Sequence, residues 1–212
     1  MQPGLARSFW ERRIQGWDRS RYAGTNPVSW RARSAAARIS PVCSGRVVVD
    51  LGCGGGRLLE LLQSSGARQL IGMDFSPAAL QLARIRCGGQ HIRFVEGDVV
   101  SDELPDGDLY VGLGLLDWLT VEQIGHLFHK LRGRDFLFSF SERRASLLRW
   151  MHQLYCWLSF GWRQPGYVPR YFSQQELSRL AQQAGYPPPN LAREARLHFG
   201  AFLWSYASHR PL

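Results

Sequence analysis

The chain has 212 residues, 45% of them hydrophobic, which suits one α/β domain with a core of its own. Its formal net charge is +9, and all but one of its 26 basic residues are arginine. Such a charge is most often a solvated surface, although it also suits an anionic substrate, nucleic acid or an acidic membrane. The sequence contains no secretory signal, no membrane-length apolar run, and no disulfide or metal spacing among its cysteines. We therefore expect a single domain over residues 1–212 in a reducing, cytoplasmic setting, without a metal.

Residues 1–40 contain aromatic side chains among many charges and predict a helical N-terminal segment. Asn26-Pro27 interrupts this segment, and Ser29 is the predicted N-cap of its second helix, which runs through Ile39. The aromatic residues are most simply interpreted as side chains that pack against a sheet.

The stretch from Arg46 to Leu62 predicts a buried strand, a glycine turn and a helix, with Asp50 near the end of the strand. The glycines that follow allow positive φ angles and a close approach of the backbone to a ligand. The helix N-terminus would favour an anionic group. The spacing is not that of a dinucleotide site, because Arg57 stands where the third glycine would be.

The next segments alternate between strands and helices, as expected of a parallel sheet. Ser76 and Pro77 are the predicted N-cap and first residue of a helix. Gly97-Asp98 follows the third strand, and the segment after the fourth strand includes Leu113, Gly114 and Trp118. The predicted strands are 69–74, 91–95, 108–113 and 134–140, and the predicted helices are 77–86 and 121–131.

Residues 141–170 are longer than a simple connection and predict a helical insertion. Within it, residues 145–160 are apolar on nearly every side but too short to span a bilayer. Three interpretations are open. We favour a cap over the active site, since lids that exclude water recur in enzymes. Docking on a membrane surface is the second, because arginines flank the segment, and plain core packing is the third.

The C-terminal part of the chain predicts a helix over 172–185, with Ser173 as N-cap and Glu176 completing a capping box. Residues 191–200 and 201–208 then predict an antiparallel pair of strands.

The order Asp50-x-Gly-x-Gly-x-Gly, a second strand ending in Asp74, a Gly-Asp turn and a terminal strand pair resembles class I S-adenosylmethionine (SAM) methyltransferases over residues 46–208. The resemblance implies an α/β Rossmann-like fold with a seven-stranded, mostly parallel sheet, an antiparallel last strand and helices on both faces. It also implies SAM as cofactor and S-adenosylhomocysteine (SAH) as product. Asp74 would accept hydrogen bonds from the ribose hydroxyls, and Asp98 would meet the adenine amino group. The expected cofactor-binding residues are Asp50, Gly52, Cys53, Gly54, Gly56, Asp74, Phe75, Asp98, Val99, Leu113, Gly114 and Trp118.

A finer similarity is to magnesium-protoporphyrin O-methyltransferases, through residues 16–24, residues 136–140 and Met151-His152. That family uses an N-terminal tyrosine, which Tyr22 matches, and a histidine after the fourth strand. Trp118 stands where that histidine is expected, which argues against a porphyrin acceptor. Motifs of enzymes that methylate nucleic-acid bases are absent after the fourth strand, which argues against base methylation.

We therefore predict an enzyme that transfers a methyl group from SAM to a small hydrophobic or aromatic acceptor by in-line displacement at oxygen or nitrogen. The candidate general bases are Tyr22, Asp117 and His152, each of which also has an interpretation as a packing residue. The alternatives are an RNA methyltransferase, suggested by the charge, and a SAM-binding accessory protein without turnover. Nucleic acid is thus a less favoured partner than a small molecule, membrane contact would use residues 145–160, and the oligomeric state is left open.

Overall fold

The computed structural model describes residues 9–11, 14, 27–89, 91–131, 133–144, 147–158, 169–194 and 200–206. Its strands are β1 (Val47–Leu51), β2 (Gln69–Asp74), β3 (Ile92–Glu96), β4 (Leu109–Leu113), β5 (Asp135–Ser141), β6 (Asn190–Arg193) and β7 (Gly200–Ser205). They form one sheet in the order β3-β2-β1-β4-β5-β7-β6. β7 pairs antiparallel with both β5 and β6, and the other neighbouring strands pair in parallel. The predicted fold class is therefore confirmed.

The helices are α1 (Pro27–Ile39), α2 (Arg57–Leu62), α3 (Pro77–Arg86), α4 (Val121–Lys130), α5 (Leu147–Cys156) and α6 (Gln174–Gln183). Short 3-10 turns cover Ser40–Val42 and Leu116–Trp118. Within the described ranges, no helix combines the length and apolarity needed to cross a membrane.

Alternation along the strands divides the core into two layers, because successive side chains point to opposite faces of a sheet. One layer contains Val49 and Phe138 together with the buried sides of α4 and α6. The other contains Val48 and Leu137 together with those of α1, α2 and α3. The helices therefore cover both faces and leave the strand ends as the place where loops from several strands meet.

Local capping signals in the sequence match the structure. The Ser76 hydroxyl accepts a hydrogen bond from the Ala79 N–H, with Pro77 at the start of α3. Ser173 and Glu176 form the predicted capping box at the start of α6. The prediction that Ser29 is the N-cap of α1 is wrong, because the helix already begins at Pro27, whose fixed φ suits the first turn. Ser29 lies buried inside the helix.

The terminal strand pair is antiparallel as predicted, but its bounds differ. β6 ends at Arg193, which pairs with Ala201. The Glu194 N–H donates to the Gly200 carbonyl at 3.2 Å, so Gly200 belongs to β7 and not to the end of the preceding strand.

Helix α5 is less buried than its composition suggests. Leu147 is 76% exposed, Trp150 61% and Leu154 57%. The interpretation of this segment as plain core packing is therefore wrong, because a core helix would bury these side chains.

Candidate active site

The glycine turn after β1 is held against β2 by the backbone. The N–H groups of Gly52 and Cys53 both donate to the Met73 carbonyl, at 2.8 and 3.0 Å. Gly52, Gly54 and Gly56 have φ angles of 68°, 52° and 77°, which are left-handed values that favour glycine. A Cβ added to Gly54 would meet no atom within 4 Å, so the turn borders open space at this residue. The resulting cradle fits the close approach of a ligand.

Asp74 lies at the carboxyl end of β2, beside this turn. Its Oδ2 accepts a hydrogen bond from the Gly54 N–H at 2.8 Å, and its Oδ1 accepts one from the Ser76 N–H at 2.9 Å. Burial raises the pKa of Asp74, whereas the N–H groups of Ser76 and Gly54 oppose this effect. The carboxylate is thus fixed in orientation at the strand end, as the predicted ribose contact requires.

Asp50 forms the second carboxylate of this region, one strand away. It is buried near the end of β1 and pairs with Gly72 of β2. Burial raises the pKa of Asp50 well above its usual value, and the negative charge of Asp74 raises it further. A ligand with positive charge would offset the repulsion between the two groups, and the sulfonium and ammonium groups of SAM meet that condition.

Residues after β3 flank Asp74 at the same edge of the sheet. Asp74 pairs with Glu96, two residues before Asp98. The Asp98 Oδ1 accepts a hydrogen bond from the Val100 N–H at 2.8 Å, which orders the turn, and Val99 is buried. The structure therefore brings the predicted adenine-contacting turn next to the second strand, with Phe75 half-buried beside it.

The end of β4 completes the predicted cofactor set. Leu113 pairs with Ser139 of β5, and the Gly114 N–H donates to the Ser139 hydroxyl at 2.8 Å. Gly114 has a φ of 70°, and a Cβ at this residue would clash with the guanidinium of Arg31. The sheet order continues in one direction from β1 to β2 and in the other from β1 to β4, so this edge is a topological switch point, where open α/β sheets bind ligands.

Asp117, predicted as a candidate base, accepts hydrogen bonds on both carboxylate oxygens. Its Oδ1 accepts the Ser141 N–H at 2.7 Å, and its Oδ2 accepts the Ser141 hydroxyl at 2.9 Å. Nη1 of Arg31 lies 3.9 Å from Oδ2. Burial raises the pKa of Asp117, while the Arg31 charge and the Ser141 hydrogen bonds lower it.

His152, another candidate base, is paired with a tyrosine from outside its helix. Its Nδ1 lies 2.6 Å from the Tyr171 hydroxyl, and its Nε2 lies 3.6 Å from the Cys156 Sγ. Burial raises the pKa of Tyr171, so its hydroxyl keeps its proton through the neutral range. The third candidate, Tyr22, lies outside the described residues.

Aromatic rings connect His152 and its neighbours to the end of β4. Trp118 contacts Trp10 with ring centroids 5.0 Å apart and Phe9 with centroids 6.4 Å apart. Phe9 and Cys156 form one small buried cluster against which Trp10 and Trp118 pack. The N-terminal segment thus meets both α5 and Trp118.

Several site residues were missed from the sequence: Arg31, Ser139, Ser141 and Tyr171. The two serines carried a usable signal, since they are polar residues in the otherwise apolar strand Phe136–Phe140 and its continuation. Arg31 and Tyr171 had none, because their partners are distant in sequence and no local pattern specifies such contacts.

Residues 48–133 match the family described as "Methyltransferase domain". Over these residues the chain is similar to methyltransferase domains. The match covers the glycine turn, Asp74, Asp98 and Trp118, and with the sheet order it confirms the predicted methyltransferase class and SAM as its cofactor.

Two curated relatives match parts of the chain. A ubiquinone biosynthesis O-methyltransferase from Alkalilimnicola ehrlichii is 39% identical over 64 residues, which is 30% of this chain and 26% of that protein. A trans-aconitate 2-methyltransferase from Methylobacterium nodulans is 37% identical over 108 residues, which is 49% of this chain and 40% of that protein. The chain thus spans less than half the length of both relatives.

The fold of the methyltransferase domain also resembles that of solved structures. The magnesium protoporphyrin IX methyltransferase from Synechocystis, solved with bound SAH, superimposes with a TM-score of 0.72 and 17% identity. The alignment covers 95% of this chain and 97% of that one. At this identity the likeness establishes the shared fold, which extends over nearly the whole length of both chains.

Proposed function

We propose that this chain transfers the methyl group of SAM to a small acceptor that has an apolar or aromatic body and an oxygen or nitrogen nucleophile. One observation carries the proposal. The acid and glycine site of Asp74 and Gly54 shares its edge of the sheet with the aromatic cluster of Phe9, Trp10 and Trp118. When bound, SAM supplies an electrophilic methyl group on a sulfonium.

The binding roles proposed for the SAM side follow from hydrogen-bonding capacity. Asp74 keeps its acceptor oxygens oriented through the Gly54 and Ser76 N–H groups and would hold the ribose. The turn containing Asp98 would hold the adenine. Gly54 would allow the backbone to approach the ligand, since a side chain there would occupy the open space beside the turn.

The acceptor side would be formed by the aromatic cluster together with the side of α5 that carries His152 and Cys156. Aromatic side chains present large flat surfaces that suit hydrophobic acceptors and exclude water. Most of the rate enhancement would then come from holding the nucleophile in line with the methyl–sulfur bond of SAM and from excluding water from the site. Three of the four curated relatives are named for ubiquinone biosynthesis or trans-aconitate, which supports a small-molecule acceptor, and the fourth is named for ribosomal protein L11.

For a nucleophile that begins protonated, His152 is the base that the geometry supports best. With the proton on Nδ1 donated to the Tyr171 hydroxyl, Nε2, which lies 3.6 Å from the Cys156 Sγ, keeps a lone pair that can take a proton. Asp117 is less suited to this role, because protonating it would weaken its hydrogen bonds from Ser141. Tyr22 stays a prediction.

The decisive experiment incubates the protein and radiolabelled SAM with a metabolite extract that is either untreated or treated with RNase. We expect label in a small, extractable product whose yield does not depend on RNase. RNase-sensitive label in RNA would establish the RNA methyltransferase alternative instead. SAM binding without transfer to any acceptor would point to the accessory-protein alternative. Asp74→Ala is the negative control.

Thermal unfolding tests the SAM site separately. A ligand that binds only the folded state raises the melting temperature. We expect SAM or SAH to raise it and NAD to leave it unchanged, because Arg57 replaces the third glycine of a dinucleotide site. A shift with NAD alone would contradict the proposal.

A further inference from the structure

The apolar side of α5 points away from the protein. Leu147, Trp150, Met151 and Leu154 of α5, and Leu158 two residues beyond its last residue, are 76%, 61%, 58%, 57% and 60% exposed. Their spacing of three or four residues places them on one face of the helix, which we call the outer face.

The opposite side of the helix, by contrast, carries polar and titratable groups. Cys156 is buried, and His152 is partly buried against Tyr171. This arrangement reverses the usual one, in which a surface helix turns its apolar stripe toward the core.

This exposure is concentrated in one place. Tyr155 and Trp157 in the same segment are also exposed, at 54% and 47%. Outside residues 147–158, the exposed large hydrophobic side chains in the described part of the chain are Ile85 and Val121, at 76% and 43%. Single exposed residues of this kind are ordinary, whereas a contiguous patch indicates an interaction surface.

Arginines outnumber acidic residues in the segment that carries the outer face. Residues 143–175 contain five arginines and no aspartate or glutamate. Arg143 and Arg144 form ion pairs with Glu176 and Glu142, which lie just beyond the two ends of this stretch. The Arg149 guanidinium lies 4.7 Å from the Trp150 ring centroid, and Arg170 is exposed. The formal net charge of the whole chain, which includes these residues, is +9.

We propose that the outer face of α5 docks on an anionic lipid surface. Leucine, methionine and tryptophan side chains at this spacing enter the boundary between head groups and acyl chains, and arginines beside them attract acidic head groups. A second copy of this chain fits the face less well, because two copies would bring together surfaces in which five arginines outnumber the two adjoining acidic residues, Glu142 and Glu176.

Docking in this orientation has a consequence for the candidate active site. The inner side of α5 carries Cys156, which shares a cluster with Phe9 and packs near Trp118. The proposed acceptor site, which lies behind α5, would therefore be next to the bilayer. A lipophilic acceptor could then enter the site from the membrane. The lipid docking itself does not depend on methyl transfer and is measured without SAM.

The test compares binding of the full chain to vesicles of phosphatidylcholine with and without phosphatidylglycerol, by co-sedimentation. The variants are Leu147→Glu, Leu154→Glu and the control Ile85→Glu. Ile85 is a matched control because it has the same 76% exposure as Leu147 and lies on α3. Calorimetric SAH binding verifies that each variant is folded.

We expect the wild-type chain to bind vesicles that contain phosphatidylglycerol and to bind them less as salt rises. Leu147→Glu and Leu154→Glu should weaken this binding at least about tenfold, with Ile85→Glu unchanged. Equal weakening by Ile85→Glu, or wild-type binding that phosphatidylglycerol does not improve, would overturn the proposal. So would a wild-type dimer in solution that Leu154→Glu dissociates, since the face would then join two copies.

Discussion

The Asp117 carboxylate accepts both hydrogen bonds that Ser141 can donate, from the backbone N–H at 2.7 Å and from the hydroxyl at 2.9 Å. The contact joins the 3-10 turn after β4 to the last residue of β5. Both residues are buried, and Arg31 from α1 lies 3.9 Å from the same carboxylate. This contact therefore fixes the position of Trp118, which follows Asp117 directly.

Removing the Ser141 hydroxyl should weaken the fold. Ser141→Ala leaves the backbone hydrogen bond but takes one donor from a buried carboxylate, and we expect the free energy of unfolding to fall by about 1.5–3 kcal/mol. Urea denaturation measures the change. Ser101→Ala is the control, because the Ser101 hydroxyl bonds to Asp102 at an exposed site and its loss should cost less than about 0.5 kcal/mol. Equal losses for the two variants would contradict the structural role of Ser141.

Asp74 should matter more for SAM than Asp117 does. Asp74→Ala removes the oriented carboxylate beside the glycine turn, and we expect roughly 1.5–3 kcal/mol of lost binding free energy, or roughly ten- to a hundredfold in affinity. Calorimetric titration with SAH on both variants, below their melting temperatures, measures this. A larger loss for Asp117→Ala would show that the ribose site is wrongly assigned.

His152 and Tyr171 should act together on turnover and not on SAM affinity. With an acceptor obtained from the proposed labelling experiment, we expect His152→Ala to lower the turnover number by about 10²–10⁴-fold, with SAM affinity changed only a few-fold. Tyr171→Phe keeps the ring but loses the hydroxyl that faces Nδ1, so it should cause a smaller loss and displace the pH profile. Full turnover in folded His152→Ala would exclude this base and direct attention to Tyr22.

Asp50 should make the unliganded protein less stable as the pH rises. Its pKa in the folded state is raised by burial and by the Asp74 charge above the unfolded value of about 3.9. Between these two pKa values the folded state binds more protons than the unfolded state, so the stability decreases with increasing pH. Asp50→Asn removes this contribution.

The measurement is the melting temperature of both proteins, without SAM, from pH 4 upward. We expect the advantage of Asp50→Asn over the wild type to grow with pH until the folded pKa is passed. An advantage that is constant or shrinks with rising pH would contradict the raised pKa. Asp117 also has a raised pKa, but it is present in the two proteins and cancels in the comparison. The contribution of Asp74 changes together with its charge coupling to Asp50 and is part of the measured difference.

Short-range patterns in the sequence determined most of the fold. The strand Gln69–Asp74 and the helix Pro77–Arg86 have the bounds that the apolar run ending in Asp74 and the Ser76-Pro77 start signal predict. The capping box of Ser173 and Glu176 was equally local. The helix start and the capping box are predictable because their partners lie within four residues, whereas the strand is marked by a local run of apolar residues although its partners lie on β1 and β3.

Contacts between distant segments were decided only by the tertiary structure. His152 meets Tyr171 across 19 residues, and Asp117 meets Ser141 across 24. The orientation of α5 is of the same kind. Residues 145–160 are apolar on nearly every side, so their periodicity alone gave no preferred face. The contacts of His152 with Tyr171 and of Cys156 with the Phe9 cluster turn the polar side inward, and this leaves the leucines and Trp150 exposed.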